Sequence, residues 1–221
     1  MCAIIGLVSR QIDVKLIKNL FYESSIRGLH ATGLSYVQDG KVHTIKEPVP
    51  AREFKALDHI EDFVNEDGSL YMVGHCRYST SDLRFNQPIS DATLSLVHNG
   101  VISQELPENW ESLYGIKTKT QNDTELLFHR HENVFEDWQD SSISAIELRN
   151  DKSLRFYRNG RRPLFITEHP GNITITSTRD IVARVYGKAS VQKTTPGTYY
   201  KFKEGQISEL HDGRINDLQY G

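Results

Sequence analysis

Apolar and polar positions change their period several times along the chain. Residues 2–9 are nearly all apolar and branched, as in a short strand buried on both faces. Val14, Leu16, Ile17, Leu20 and Phe21 then recur at helical spacing, so the chain opens with a strand and a helix. Residues 34–38 and 41–46 flank Asp39-Gly40, a dipeptide suited to the positive φ angles of a two-residue turn, which predicts an antiparallel hairpin. A second helix is predicted over residues 52–64. Strands follow over 70–76 and 94–98, too apolar to lie on an open sheet face.

Asn122, with Glu125 three residues later, resembles a capping box, and Leu126, Leu127 and His131 continue a helical stripe towards Phe135. The last third changes character. Short strands are predicted over 142–148, 154–158, 164–168, 173–177, 198–203 and 206–210, separated by turns such as Asn150-Asp151, Pro170-Gly171-Asn172 and Glu204-Gly205. A helix over 179–186 interrupts them. Hairpin-linked strands with interspersed helices point to an α+β fold of two antiparallel sheets packed face to face, with helices outside.

Composition narrows the function classes. At 221 residues the chain can bury a full core without disulfide or metal staples, and without repeats or low-complexity linkers one domain over 1–221 is the expectation. Lys and Arg total 26 against 29 Asp and Glu, a net charge of -3 that lacks the basic footprint of a nucleic-acid binder. The apolar run at the start has no basic residues before it and is too short to span a bilayer, so neither a signal peptide nor a membrane partner is expected, and a cytoplasmic location is. The two cysteines, Cys2 and Cys76, are read as thiols. No Cys-x-x-Cys cluster accompanies Cys76, and His129 and His131 point apart on a helix, so no metal and no cofactor are expected.

Position 2 carries the chemistry. Removal of Met1 would leave a thiol and a free α-amine on one residue. Free α-amines titrate near ~7.7–8.0 and free thiols near ~8.5, so such an amine can take the thiol proton through a water at little cost near neutral pH. A Thr nucleophile served by its own amino terminus is activated in the same way. The competing reading makes Cys2 a small buried hydrophobe of the first strand.

Further along stand Gly74-His75-Cys76-Arg77-Tyr78-Ser79-Thr80, Asn86-Gln87-Pro88, Leu96-Val97-His98-Asn99-Gly100 and Asp123-Thr124-Glu125-Leu126-Leu127. In this order behind an N-terminal Cys, these blocks resemble the glutaminase domain of class II glutamine amidotransferases, within the N-terminal-nucleophile (Ntn) hydrolases. The wording is similar to that of amidophosphoribosyltransferase and glucosamine-6-phosphate synthase. Arg27-Gly28 through Gly33, then Arg162-Pro163-Leu164 and Ser177, resemble further parts of the same domain, so the likeness runs from about residue 2 to 210.

The resemblance implies a four-layer α/β/β/α sandwich and hydrolysis of the glutamine side-chain amide to glutamate and ammonia. It implies that Cys2 attacks the carboxamide and forms a γ-glutamyl thioester. Asn99 and the backbone N–H of Gly100 would form the oxyanion hole. Arg77 would hold the substrate carboxylate and Asp123 its ammonium, while Tyr78, Ser79 and Thr80 begin a segment that folds over bound glutamine. Arg27 matches a residue close to the nucleophile. Two positions depart from the pattern: His30 stands where the family has Asp, and Ser81 where glucosamine-6-phosphate synthase has His. With no synthase domain expected in the chain, the ammonia would pass to a separate synthase partner. Two alternatives stay open, an amidohydrolase acting on another γ-glutamyl compound and a non-catalytic binding module of the same fold.

Overall fold

The structure, a computed structural model, describes residues 2–79, 83, 85–187, 189–211 and 214–216. Its strands in chain order are β1 (Ala3–Ser9), β2 (Ala31–Gln38), β3 (Lys41–Glu47), β4 (Leu70–Arg77), β5 (Ile89–Ser90), β6 (Leu94–His98) and β7 (Ser144–Arg149). They continue as β8 (Leu154–Arg158), β9 (Phe165–His169), β10 (Asn172–Thr176), β11 (Val191–Lys193), β12 (Thr198–Lys203), β13 (Gln206–His211) and β14 (Arg214–Asn216). The α-helices are α1 (Val14–Ser24), α2 (Trp110–Tyr114), α3 (Thr124–His129), α4 (Val134–Asp137) and α5 (Arg179–Tyr186).

Among the described residues the strands form two seven-stranded sheets. The first has the order β11-β9-β10-β1-β4-β2-β3 and the second β14-β13-β12-β8-β7-β6-β5. The neighbours pair antiparallel throughout. Three apolar layers hold them together. Ile4, Val8, Val73, Val97, Ile146 and Phe156 fill the space between the sheets. Ile17, Leu20 and Phe21 of α1 and Ile181 of α5 cover the outer face of the first sheet, with Ile5 and Leu7 beneath them. Leu126 and Leu127 of α3, Val134 of α4 and Trp110 of α2 cover the second sheet over Leu96 and Tyr157. The result is the four-layer α/β/β/α sandwich expected from the resemblance. Among the described residues no helix is long and apolar enough to cross a membrane.

Local chemistry explains most elements. Asp13 caps α1 by accepting the Leu16 N–H at 2.9 Å. The hairpin of β2 and β3 closes with Asp39 and Gly40 at φ 53° and 68°. Two predicted helices come out differently. Residues 52–64 yield a 3₁₀ segment, Lys55–Phe63, kinked at His59. Its buried residues Leu57, Ile60 and Phe63 are spaced by three, which one face of a 3₁₀ helix satisfies. The stripe from Asn122 towards Phe135 breaks at Arg130 into α3 and α4. There Arg155 of β8 bonds the His131 carbonyl, which a continuous helix would offer to the Phe135 N–H, and contacts His131 Nδ1. The capping box is also altered. Asn122 Oδ1 accepts the Thr124 N–H at 3.1 Å, whereas the Glu125 carboxylate turns to the Lys119 and Thr120 N–H groups, at 2.8 and 2.7 Å.

Glu147 of β7 anchors this covering layer. It is fully buried and accepts two hydrogen bonds from Arg155, at 3.0 and 2.8 Å, and one from Arg149 at 3.2 Å. Burial pushes its carboxyl pKa up, but hydrogen bonds and charge from His131 and Arg155 outweigh this and leave it below the ordinary value of 4.5. A carboxylate depressed on folding stabilises the fold fully above its unfolded pKa, and loses that contribution as pH falls through its folded one. Glu147→Gln is therefore expected to destabilise the protein by about 3–5 kcal/mol at pH 7, because it strands Arg155 in a buried site. Urea unfolding of both proteins should show the gap narrowing below about pH 4.3, as wild-type Glu147 becomes protonated.

Candidate active site

The site grows from the middle of the first sheet. β1 pairs with β4 so that Ala3 faces Cys76 and Ile4 faces His75. Ser177, just past β10, takes both backbone groups of Ile4: its Oγ accepts the N–H at 3.1 Å, and its own N–H donates to the carbonyl at 3.3 Å. Ala3, Ile5 and Leu7 face the outer helices, while Ile4 and Val8 face the second sheet. Strand alternation thus carries Cys2 to the inter-sheet side. On β4, Cys76 points outward into the helix layer, so His75 and Arg77 on either side of it turn inward with Cys2. Burial pushes the Cys76 thiol pKa far up, which suits an inert core residue. Cys2 is half-buried, with Sγ 3.9 Å from the Tyr78 carbonyl.

The second sheet supplies the facing wall. β6 ends at His98, and Asn99 and Gly100 leave the sheet beside Ser142, which exchanges backbone hydrogen bonds with Val101 at 2.9 and 3.0 Å. A Cβ on Gly100 would lie 1.7 Å from the Ser142 carbonyl oxygen, so only glycine fits. Among the described residues neither the Asn99 carboxamide nor the Gly100 N–H has a hydrogen-bond partner, although Asn99 is only 4% exposed. Two donors therefore stand unengaged at the edge of one cleft.

Buried polar contacts fix this geometry. Gln87 Oε1 accepts the His98 N–H at 2.6 Å, while its Nε2 donates to the His98 carbonyl at 3.1 Å and to Thr124 Oγ1 at 2.9 Å. Thr124 Oγ1 lies 3.3 Å from His98 Nδ1, and His98 Nε2 donates to the Ser142 carbonyl at 3.1 Å. Burial lowers the His98 pKa, against the opposing charge of Asp123. Residues 86–88 lie close over β2: a Cβ on Gly33 would sit 2.1 Å from the Gln87 carbonyl oxygen. Lys46 of β3 holds the same segment, donating to the Asn86 and Pro88 carbonyls at 3.0 and 3.1 Å. Burial lowers the Lys46 pKa, which the charge of Glu125 opposes.

Arg77 is nine-tenths buried and donates to the Phe85 carbonyl, which also accepts from Asn122 Nδ2 at 2.8 Å. Asp123, at the N-cap position of α3, makes no cap bond there; its Oδ2 accepts the Ile102 N–H at 2.6 Å and the Ser103 N–H at 3.4 Å.

A cleft of about 750 Å³ is lined by Cys2, Arg77, Tyr78, Ser79, Asn99, Gly100 and Asp123, among others. Seven of the nine residues singled out from the sequence thus share one cavity. Thr80 lies outside the described residues, as do Met1 and Ser81. Arg27 ends a 3₁₀ turn, Ser25–Arg27, and does not line the cleft. His30, the departure from the family's Asp, accepts the Ser79 N–H on Nδ1 at 2.9 Å and packs its ring 4.9 Å from that of Tyr78. It thereby ties Tyr78 and Ser79, just past β4, to the turn before β2. Sequence reasoning also missed His75 and Arg162 as lining residues, and gave no role to Gln87, although each sits inside a motif block already noticed.

Comparison with known proteins follows the same lines. No protein-family model matches the chain. Among curated proteins it is 27% identical over 136 residues to a glutamine–fructose-6-phosphate aminotransferase (isomerizing) of Aquifex aeolicus, covering 58% of this chain and 22% of that protein. The corresponding protein of Staphylococcus aureus is 26% identical over 132 residues, with shares of 58% and 21%. The chain thus spans about a fifth of the length of the curated relatives it matches. Among solved structures, glutamine phosphoribosylpyrophosphate amidotransferase of B. subtilis superposes with a TM-score of 0.73 at 18% identity, over 97% of this chain and 50% of that one. A glutamine aminotransferase class-II domain protein of Silicibacter pomeroyi gives 0.57 at 12% identity, over 94% and 98%.

The Gln87 contacts generate a direct test. Gln87→Leu keeps the volume but leaves the His98 N–H and carbonyl without their partner in a buried site, and is expected to cost about 3 kcal/mol in urea unfolding. A loss below about 1 kcal/mol would show that the carboxamide is not what holds β6 in place.

Proposed function

From the likeness of the chain to class II glutamine amidotransferase domains in both sequence and fold, we propose that it hydrolyses the side-chain amide of glutamine to glutamate and ammonia. The reaction runs through a γ-glutamyl thioester on Cys2, and the ammonia passes to a separate synthase partner. One observation carries the reading: a thiol, two unengaged hydrogen-bond donors, a cation and an anion, drawn from separate segments, line a single cleft.

Each group then has a task. After removal of Met1, the α-amine of Cys2 takes the thiol proton and the sulfur attacks the amide carbon. Charge builds on the amide oxygen, where the Asn99 carboxamide and the Gly100 N–H donate to it. Because neither donor is committed elsewhere, none has to break a bond to reach the oxyanion. The proton held by the amine goes to the leaving nitrogen, ammonia departs, and water later resolves the thioester. Arg77 grips the α-carboxylate with the planar fork that a lysine lacks, and Asp123 takes the ammonium. Tyr78 and Ser79 close over the bound substrate, with Arg27 supporting the turn beside β4.

The relatives support the transfer step. Their names give fructose 6-phosphate as acceptor, and the part they share with this chain is a fifth of their length. For this protein the acceptor is tested by adding candidate synthases to the purified chain and following glutamate release.

Three outcomes are expected. Intact-mass measurement of the active protein should lack Met1, and Cys2→Ala should release no glutamate; equal release by variant and wild type would refute the thioester. Asn99→Ala should lower kcat roughly 10²–10³-fold with little change in KM, as for loss of one oxyanion donor.

A further inference from the structure

The Cys2 sulfur rests against one peptide group, and that group is held from its other end. Cys2 Sγ lies 3.9 Å from the Tyr78 carbonyl oxygen, within reach of S–H donation. The same peptide donates its N–H, that of Ser79, to His30 Nδ1 at 2.9 Å. The C=O and N–H of a planar trans peptide point in opposite directions, so a side chain that fixes the N–H also fixes the direction of the carbonyl.

His30 is itself firmly placed. Its backbone N–H donates to the Arg77 carbonyl at 2.9 Å, and its ring packs 4.9 Å from that of Tyr78. The turn before it is pressed onto β4, since a Cβ on Gly28 would lie 2.2 Å from the Cys76 carbonyl oxygen. His30 thus grips the chain on both sides of Tyr78, at Arg77 and at Ser79.

The chemistry of the contact has a definite sign. A ring that accepts on Nδ1 carries its proton on Nε2. At the other end of the peptide, a hydrogen bond made by a neutral thiol disfavours the thiolate, and it is the thiolate that attacks. The negative end of the Tyr78 carbonyl faces the sulfur and opposes charge there.

We propose that His30 is a positioning residue that turns the Tyr78–Ser79 peptide towards Cys2, and so restrains the thiol in its protonated, unreactive form. The restraint itself does not depend on the glutaminase reading, whereas its consequence for turnover rests on that reading. There the thiol gives up this contact when its proton passes to the α-amine.

The test is the rate at which iodoacetamide alkylates Cys2 in the purified full chain at fixed neutral pH, followed by mass spectrometry. Cys76 is fully buried and burial pushes its thiol pKa far up, so its lack of label reports an intact fold. His30→Phe keeps a ring beside Tyr78 but no acceptor, and should speed alkylation of Cys2 roughly 3- to 10-fold, the equivalent of one net hydrogen bond. His30→Asn loses the ring but carries an acceptor on Cγ, as His does, and should react at the wild-type rate. His30→Leu has neither and should react as His30→Phe does; it serves if labelled Cys76 shows that His30→Phe is misfolded. Equal rates in all four proteins, or a fast Asn variant beside a wild-type-like Phe variant, would overturn the proposal. Glutamate release separates it from the reading above. The expected order of alkylation with no glutamate released by any of the four would overturn the glutaminase reading and leave the restraint standing. Glutamate release with equal alkylation rates would overturn the restraint alone.

Discussion

The register between β1 and β4 is the constraint on which the rest depends. Side chains alternate along a strand, so a slip of one residue exchanges the two faces. With Ala3 opposite Cys76, the inert thiol of β4 enters the helix layer, and Cys2, His75 and Arg77 share the side that meets the second sheet. A slip would bury Arg77 among apolar residues and turn Cys2 away from Asn99. Both faces of this sheet are covered by apolar layers, so any such exchange would place polar and apolar groups on the wrong sides at once. The chemistry of the cleft is thus protected by the same burial that stabilises the sandwich.

The second sheet solves a different problem, which is how to keep donors free while everything around them is bonded. His98, immediately before Asn99, has its N–H and carbonyl taken by Gln87 and its ring by Thr124 and Ser142. Asn99 donates its own backbone N–H to Ser144, at 2.8 Å, and leaves its carboxamide to the cleft. Rigidity of the flanking residue makes the free donors preorganised. The ion cluster around Glu147 extends that rigidity to α3, whose first turn follows Asp123.

Much of this was legible in the sequence because local patterns and tertiary demands agree. Residues 154–158, 179–186 and 198–203 fold over the predicted spans, and the Asp39-Gly40 hairpin closes as its turn residues require. Disagreement arose where a distant partner competed for a backbone group. Arg155, which ends the helical stripe at Arg130, lies 24 residues beyond His131 and has no local signature. Leu57, Ile60 and Phe63 are spaced by three, which over so short a span also lies within one broad α-helical face, and packing selects the tighter coil. In the cleft, motif blocks pointed to Cys2, Arg77, Asn99, Gly100 and Asp123, residues whose side chains or N–H groups have obvious chemistry. Gln87 acts through buried contacts with His98 and Thr124, and His30 through a backbone N–H, none of which a linear pattern encodes.

The contact that seats the first strand joins Ile4 to Ser177, across 173 positions. Such non-local pairing is the slow part of folding, and a chain made from its amino terminus cannot form it until residue 177 has been synthesised. The first strand therefore pairs with β4 well before its β10 edge and Ser177 become available. A nascent or truncated product thus holds Cys2 at the head of a strand whose β10 edge stays unpaired until late in synthesis.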